Sequence, residues 1–157
     1  MCTGNPFEPL DLKVISNLRF LGFRVYAGHE FHDVQLEWIV HGLTEGFIPS
    51  TLEELTIIVR IDPADGYTRP PGLMDICWSF YESELDSALV SGEQTYPNLR
   101  EVEIIVEVPR PGKYDVDRFF DALAEKLPLL DERDLLSAQL CTKAEVQATM
   151  CTLLYKT

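Results

Sequence analysis

Three stretches of this chain place apolar residues at relative positions 1, 4, 6 and 8, with mostly polar or small residues between them. They are Leu18, Leu21, Phe23, Val25; Leu52, Leu55, Ile57, Val59; and Leu99, Val102, Ile104, Val106. The second and third, TLEELTIIVRI and NLREVEIIVEV, also agree through their flanking residues. Each ends in the period-two alternation of a strand that buries one face. Self-similarity of this kind marks an array, because one strand unit cannot cover its own apolar face and must stack on a neighbour.

The intervening segments have helical period. Leu36, Ile39, Val40 and Leu43 recur at i, i+3, i+4 and i+7, with Asp33 as N-cap and Gly46 just past the end. The loop PADGYTRPPG breaks regular structure. A second helix follows, with Trp78, Tyr81, Leu85 and Ala88 or Leu89 as its inward stripe, Asp75 capping it and Gly92 ending it. Val116, Phe119, Phe120, Leu123 and Leu127 form a third apolar face; Asp115 and Asp117 suit its start and Pro128 stops it. Trp38, Trp78, Phe119 and Phe120 are read as core aromatics. In the tail, Thr142 and Glu145 form a capping box ahead of Val146, Met150, Leu153 and Leu154.

The order β, α, β, α, β, α, α predicts an α/β fold with a parallel sheet and right-handed crossovers. It is read as one domain over 1–157, with a repeat-like region at 15–136 and a helical tail at 137–157. Alternation sends Ile57, Val59, Ile61, Val102, Ile104, Val106 and Val108 toward the helices. Thr56, Ile58, Arg60, Asp62, Glu103, Ile105 and Glu107 face the other way. A sheet covered on both faces needs nearly continuous apolar strands, and these charges are costly to bury unpaired. The expectation is a short irregular array of parallel strands with helices on one side. Alanine at Ile57 or Ile104 should then cost far more than at Ile58 or Ile105.

IPSTLEELTIIVRI and YPNLREVEIIVEV resemble the strand turns of irregular leucine-rich repeats. The second string, with Trp78, Leu85 and Asp86 upstream, is similar to the C-terminal leucine-rich-repeat region of F-box proteins from mushroom-forming (basidiomycete) fungi. The F-box itself is absent, Arg60 and Glu107 stand where such repeats often bury Asn or Cys, and the repeats are long. The resemblance implies an intracellular protein-recognition module like the substrate-binding end of an F-box protein. On that reading Arg24, Tyr26, Thr56, Ile58, Arg60, Glu103, Ile105 and Glu107 form the protein-binding surface, with Ile58 and Ile105 as apolar anchors.

Composition narrows the partners. Thirteen basic against 26 acidic residues give a formal charge of −13, which opposes phosphate neutralisation and argues against nucleic acid and anionic membranes. No run approaches the roughly 20 apolar residues that cross a bilayer, and MCTGNPFEPLDLK lacks the basic and apolar regions of a secretory signal. The expected location is intracellular, cytoplasmic or nuclear, with Cys2, Cys77, Cys141 and Cys151 as free thiols. In HEFHD, His29, Glu30 and His32 lack the i, i+4 histidine spacing of a helical zinc site. The carboxylate pairs Glu53/Glu54, Glu82/Glu84, Asp115/Asp117 and Asp131/Glu132 read as solvated. No nucleophile elbow or phosphate-binding glycine loop occurs. No catalytic residue, metal or cofactor is expected.

The alternatives are a small acidic α/β enzyme with Asp62 and Asp65 at the strand C-terminal ends, or a truncated relic without an independent role. A first strand with no cap predicts self-association through its edge.

Overall fold

The three repeated segments form strands β1 (Phe20–Ala27), β2 (Glu54–Ile61) and β3 (Glu101–Glu107), paired parallel in chain order. The structure is a computed structural model that describes residues 12–27, 32–61, 72–91 and 96–154. Residues of equal repeat position are neighbours in the ladder: Leu21, Leu55 and Val102; Phe23, Ile57 and Ile104; Val25, Val59 and Val106. The fold class read from the repeat is therefore the one adopted.

A fourth strand, β4 (Leu136–Cys141), continues the sheet on the far side of β3. It corrects the expectation of a wholly helical tail from residue 137. Leu136, Ala138 and Leu140 continue the rows of Val102, Ile104 and Val106. Extending the spacing back by three residues gives Arg133 in place of the leucine that opens the other copies, and Ala138 stands where the last two copies have Ile. The apolar signal is weakened, yet backbone bonds from Val102 N–H to Leu135 O and Val108 N–H to Cys141 O hold both ends of the pairing.

Five helices bury their apolar stripes against the helix-side face of this sheet: α1 (His32–Thr44), α2 (Leu73–Glu82), α3 (Leu85–Val90), α4 (Val116–Lys126) and α5 (Pro128–Glu132). The helix α1 starts one residue before Asp33, so Asp33 is not its N-cap, and Gly46 follows its end in the left-handed conformation that a glycine tolerates. Asp115 caps α4 by accepting from Arg118 N–H at 3.0 Å. Gly92 lies outside the described residues.

The second helix departs from its predicted stripe. It breaks at Ser83 and Glu84, the latter at φ 60, which turns the chain into α3. Ile76, Cys77 and Phe80 face the core, while Trp78 and Tyr81 are 51% and 56% exposed. One residue is about 100° of helix rotation, so the stripe through Trp78 and Tyr81 and the stripe through Cys77 and Phe80 compete, and the tighter packing of Phe80 decides. Burial also pushes the Cys77 thiol up to about 11, which keeps it protonated and inert.

A sixth helix, α6 (Lys143–Leu154), lies on the opposite face. It opens with the expected capping box: Thr142 N–H donates to Glu145 Oε2 at 2.6 Å, and Glu145 N–H donates to Thr142 Oγ1 at 3.4 Å. Its Val146 forms a small second core with Ile58 and Ile105. The parallel α/β arrangement stands, with this one helix on the side expected to be open.

Two buried polar side chains tie the units together. Asp86 in α3 accepts from the N–H groups of Leu129 and Leu130, each at 2.9 Å, at the start of α5. Tyr96, ahead of β3, donates its hydroxyl to Leu43 O at 2.9 Å at the end of α1, with Ile48 O at 3.4 Å; burial pushes its phenol up to about 12.

Two stability outcomes follow from this packing. Ile57→Ala and Ile104→Ala should each cost about 2–5 kcal/mol, and Ile58→Ala and Ile105→Ala about 2 kcal/mol instead of the small loss of an exposed residue. Urea denaturation checks this, and near-zero losses at Ile58 and Ile105 would mean that α6 does not cover them. Asp86→Ala strands one buried and one part-buried N–H donor and should cost about 2–3 kcal/mol, with Asp86→Asn recovering part; equal losses in both variants would show that the acceptor is not what matters.

Candidate functional site

The sheet face away from α1–α5 is built in rows, because parallel in-register pairing sets even-numbered residues of β1 beside their counterparts in β2 and β3. Four rows cross it: Phe20, Glu54, Glu101; Gly22, Thr56, Glu103, Ser137; Arg24, Ile58, Ile105, Gln139; and Tyr26, Arg60, Glu107, Cys141. All eight predicted binding residues, Arg24, Tyr26, Thr56, Ile58, Arg60, Glu103, Ile105 and Glu107, do share this face. They are not equally available.

Ile58 and Ile105 are fully buried beneath Val146 of α6, so the two expected anchors serve the chain's own tail and offer nothing to a partner. Thr56 is buried as well, and Glu107 nearly so. Arg24 and Tyr26 are exposed. Arg60 and Glu103 lie between these extremes. The face is therefore divided into a covered part over β3 and an open strip along β1 that reaches Arg60.

Charge is arranged along the rows. The Arg60 guanidinium lies 5.9 Å from the Tyr26 ring centre and its Nε is 3.5 Å from Glu107 Oε1. A cation held between a π face and a carboxylate keeps a fixed direction. Glu103 Oε1 accepts from Gln139 Nε2 at 2.5 Å, and Glu101 Oε1 accepts from Ser137 Oγ at 2.8 Å. Burial raises the Glu103 pKa, and Glu101 adds to the rise; hydrogen bonds from Thr56 and Gln139 oppose it. At the N-terminal rim of the sheet Arg19 donates to both oxygens of Glu53 at 2.6 and 2.7 Å, and Arg100 stands 3.9 Å away. That hydrogen bonding holds the Glu53 carboxyl below its usual range.

The alternation that placed Arg24 and Tyr26 on this face also places Phe20 and Gly22 there, two members the sequence reading missed. Gln139 becomes visible once the repeat is extended to a fourth copy. On the helix side, exposed Trp78 and Tyr81 pack edge to face at 5.7 Å, with Lys126 Nζ 4.1 Å above the Trp78 ring. This aromatic pair, read from sequence as core, is a surface feature that the α4 ammonium covers.

His29, Glu30, Asp62 and Asp65 lie outside the described residues, as do Cys2 and the side chain of His32. Among the described residues no group of three or more His, Cys, Asp or Glu is placed to hold a metal ion, and no helix is long and apolar enough to cross a membrane. Comparison of the chain with protein-family models, with characterised proteins and with solved structures found no match.

A raised carboxylate pKa means that the folded state holds its proton more tightly than the unfolded chain does. The penalty at Glu103 is absent well below 4.5 and appears as pH rises through the raised folded value. Glu103→Gln should therefore raise the Tm at neutral pH, with the gain vanishing in acid; a gain independent of pH would show that the charge is not its source.

Proposed function

We propose that the chain is a protein-recognition module, of the kind found at the substrate-binding end of F-box and leucine-rich-repeat proteins, and that its contact surface is the open strip of sheet formed by Phe20, Arg24, Tyr26 and Arg60. The observation that carries this reading is the exposure of Arg24 and Tyr26 on a face where α6 covers Ile58 and Ile105 and where Glu101 and Glu103 are hydrogen-bonded to Ser137 and Gln139. A parallel sheet with a packed layer behind it is rigid, and side chains on it are presented with little freedom left to lose on binding. Tyr and Arg are the residue types that most often dominate binding energy.

The chemistry of the strip selects the partner. In a chain of charge −13, residues 12–29 contain Lys13, Arg19 and Arg24 and no Asp or Glu. A partner that presents carboxylates beside an apolar side chain would meet Arg24 and Arg60 with its charges and the Tyr26 and Phe20 rings with its apolar part. The repeat texture shared with leucine-rich repeats supports the same reading. The wider surface first drawn from sequence contracts, since Ile58 and Ile105 are occupied.

Site-specific photocrosslinking tests this. A benzophenone side chain at position 26 should give a discrete adduct with one other protein in cells of the source organism, and Arg24→Glu should abolish it. The same probe at exposed Glu125, on the helix side, should give none. Equal labelling from both positions, or an adduct indifferent to Arg24→Glu, would overturn the assignment.

A further inference from the structure

Among the described residues no strand pairs with the outer edge of β1, and that edge carries a feature that their packing does not require. Glu54 N–H bonds to Arg19 O, so the odd-numbered residues of β1 turn their backbone groups toward β2. By the alternation of a parallel ladder, Phe20, Gly22, Arg24 and Tyr26 turn theirs toward the edge. The Tyr26 N–H is taken at 2.9 Å by the Gln35 side chain of α1. Among the described residues, three consecutive edge positions remain without a backbone partner: Phe20, Gly22 and Arg24.

Gly22 is at their centre. Its φ is outside the left-handed region, and a Cβ there would meet only Thr56 O, at 3.9 Å. Nothing within the described residues calls for glycine, which weakens a strand unless another backbone approaches closely. The apolar residues beside it are also unfinished. Leu21 and Phe23 are half-buried, although their row-mates Leu55, Val102, Ile57 and Ile104 are at 0% exposure. The row is the same, but among the described residues β1 has a paired strand on one side alone. An edge strand of this kind invites pairing, and in the register proposed below Arg24 lies opposite Phe20 and not opposite a second cation, so the two basic strands meet without a direct like-charge pair.

We propose that two copies of this chain pair antiparallel along β1 about a two-fold axis through Gly22. In this register Gly22 faces Gly22 of the second copy, and the two exchange both backbone hydrogen bonds. Phe20 faces Arg24 of the second copy, ring against guanidinium, with the ring also over the bare glycine backbone. On the helix side, Leu21 faces Phe23 of the second copy, which covers both half-buried residues. Tyr26, already bonded to Gln35, lies beyond the ladder at each end. The interface is isologous, so it closes at two copies and does not propagate. The dimer goes beyond the recognition reading and does not depend on it, but it would join the two Arg24–Tyr26 strips into one continuous face.

Sedimentation of the full chain should give the mass of two copies at tens of micromolar. Gly22→Pro, which removes an edge-facing N–H that β2 does not use, should give the mass of one copy with unchanged circular dichroism. As a second measure, Gly22→Cys should oxidise to a 22–22 disulfide dimer, since facing Cα atoms in such a pair are about 5.5 Å apart. Arg24→Cys should not, because the two 24 positions would be separated by about 14 Å along the strands. The parent chain under the same oxidant accounts for its native cysteines. A monomeric parent, a Gly22→Pro variant that remains dimeric, or Arg24→Cys crosslinking as readily as Gly22→Cys would each overturn the proposal. A monomer crosslinked through β1 to a different protein would assign the edge to that partner and overturn it too.

Discussion

Backbone bonds between β1, β2, β3 and β4 hold residues of equal repeat position side by side, so each position in the repeat is a row across the whole sheet. A β-branched or leucine side chain at one position packs against its counterparts in the next strands as well as against the helices behind. Leu55, Ile57, Val102 and Ile104 lose all contact with solvent this way. A register slip of one residue would send Glu103 and Arg60 into that layer and Ile57 and Ile104 out of it. The penalty for misplacing those charges far exceeds any local preference, which is why the parallel pairing, the helix positions and the opposite face all follow from it.

Much of this was legible because the repeat states the pattern more than once. Where two copies agree, as in TLEELTIIVRI and NLREVEIIVEV, strand, face and register could all be read before any coordinates. Where the pattern is diluted, it could not. Arg133 and Ala138 hide the fourth copy, since a strand paired on one side and half-exposed tolerates polar and small residues that a central strand does not. The exposed Trp78 and Tyr81 misled because large aromatics at helical spacing look like a core stripe, and only tertiary packing shows that Phe80 has taken that place.

The opposite face was the hardest part to read. Ile58 and Ile105 differ from their polar neighbours, and a single β-branched residue on an otherwise charged face has no periodicity to say whether a partner or the chain itself covers it. The tail that does so contributes Val146 from a helix with little amphipathic contrast. Sequence therefore located this face by its charges, Arg24, Arg60, Glu103 and Glu107, but not how much of it stays exposed, which depends on what the last strand brings with it.

The Tyr96 hydroxyl has a wider consequence. Its shorter bond, to Leu43 O, reaches the first unit, and Ile48 O opens the second, whereas Tyr96 itself leads into the third. Arrays whose units touch only their neighbours lose structure one unit at a time from the ends. Here the first unit cannot fray without leaving the Tyr96 phenol short of its nearer partner in the interior, so the bond to Leu43 O skips a unit and opposes loss of the first unit alone.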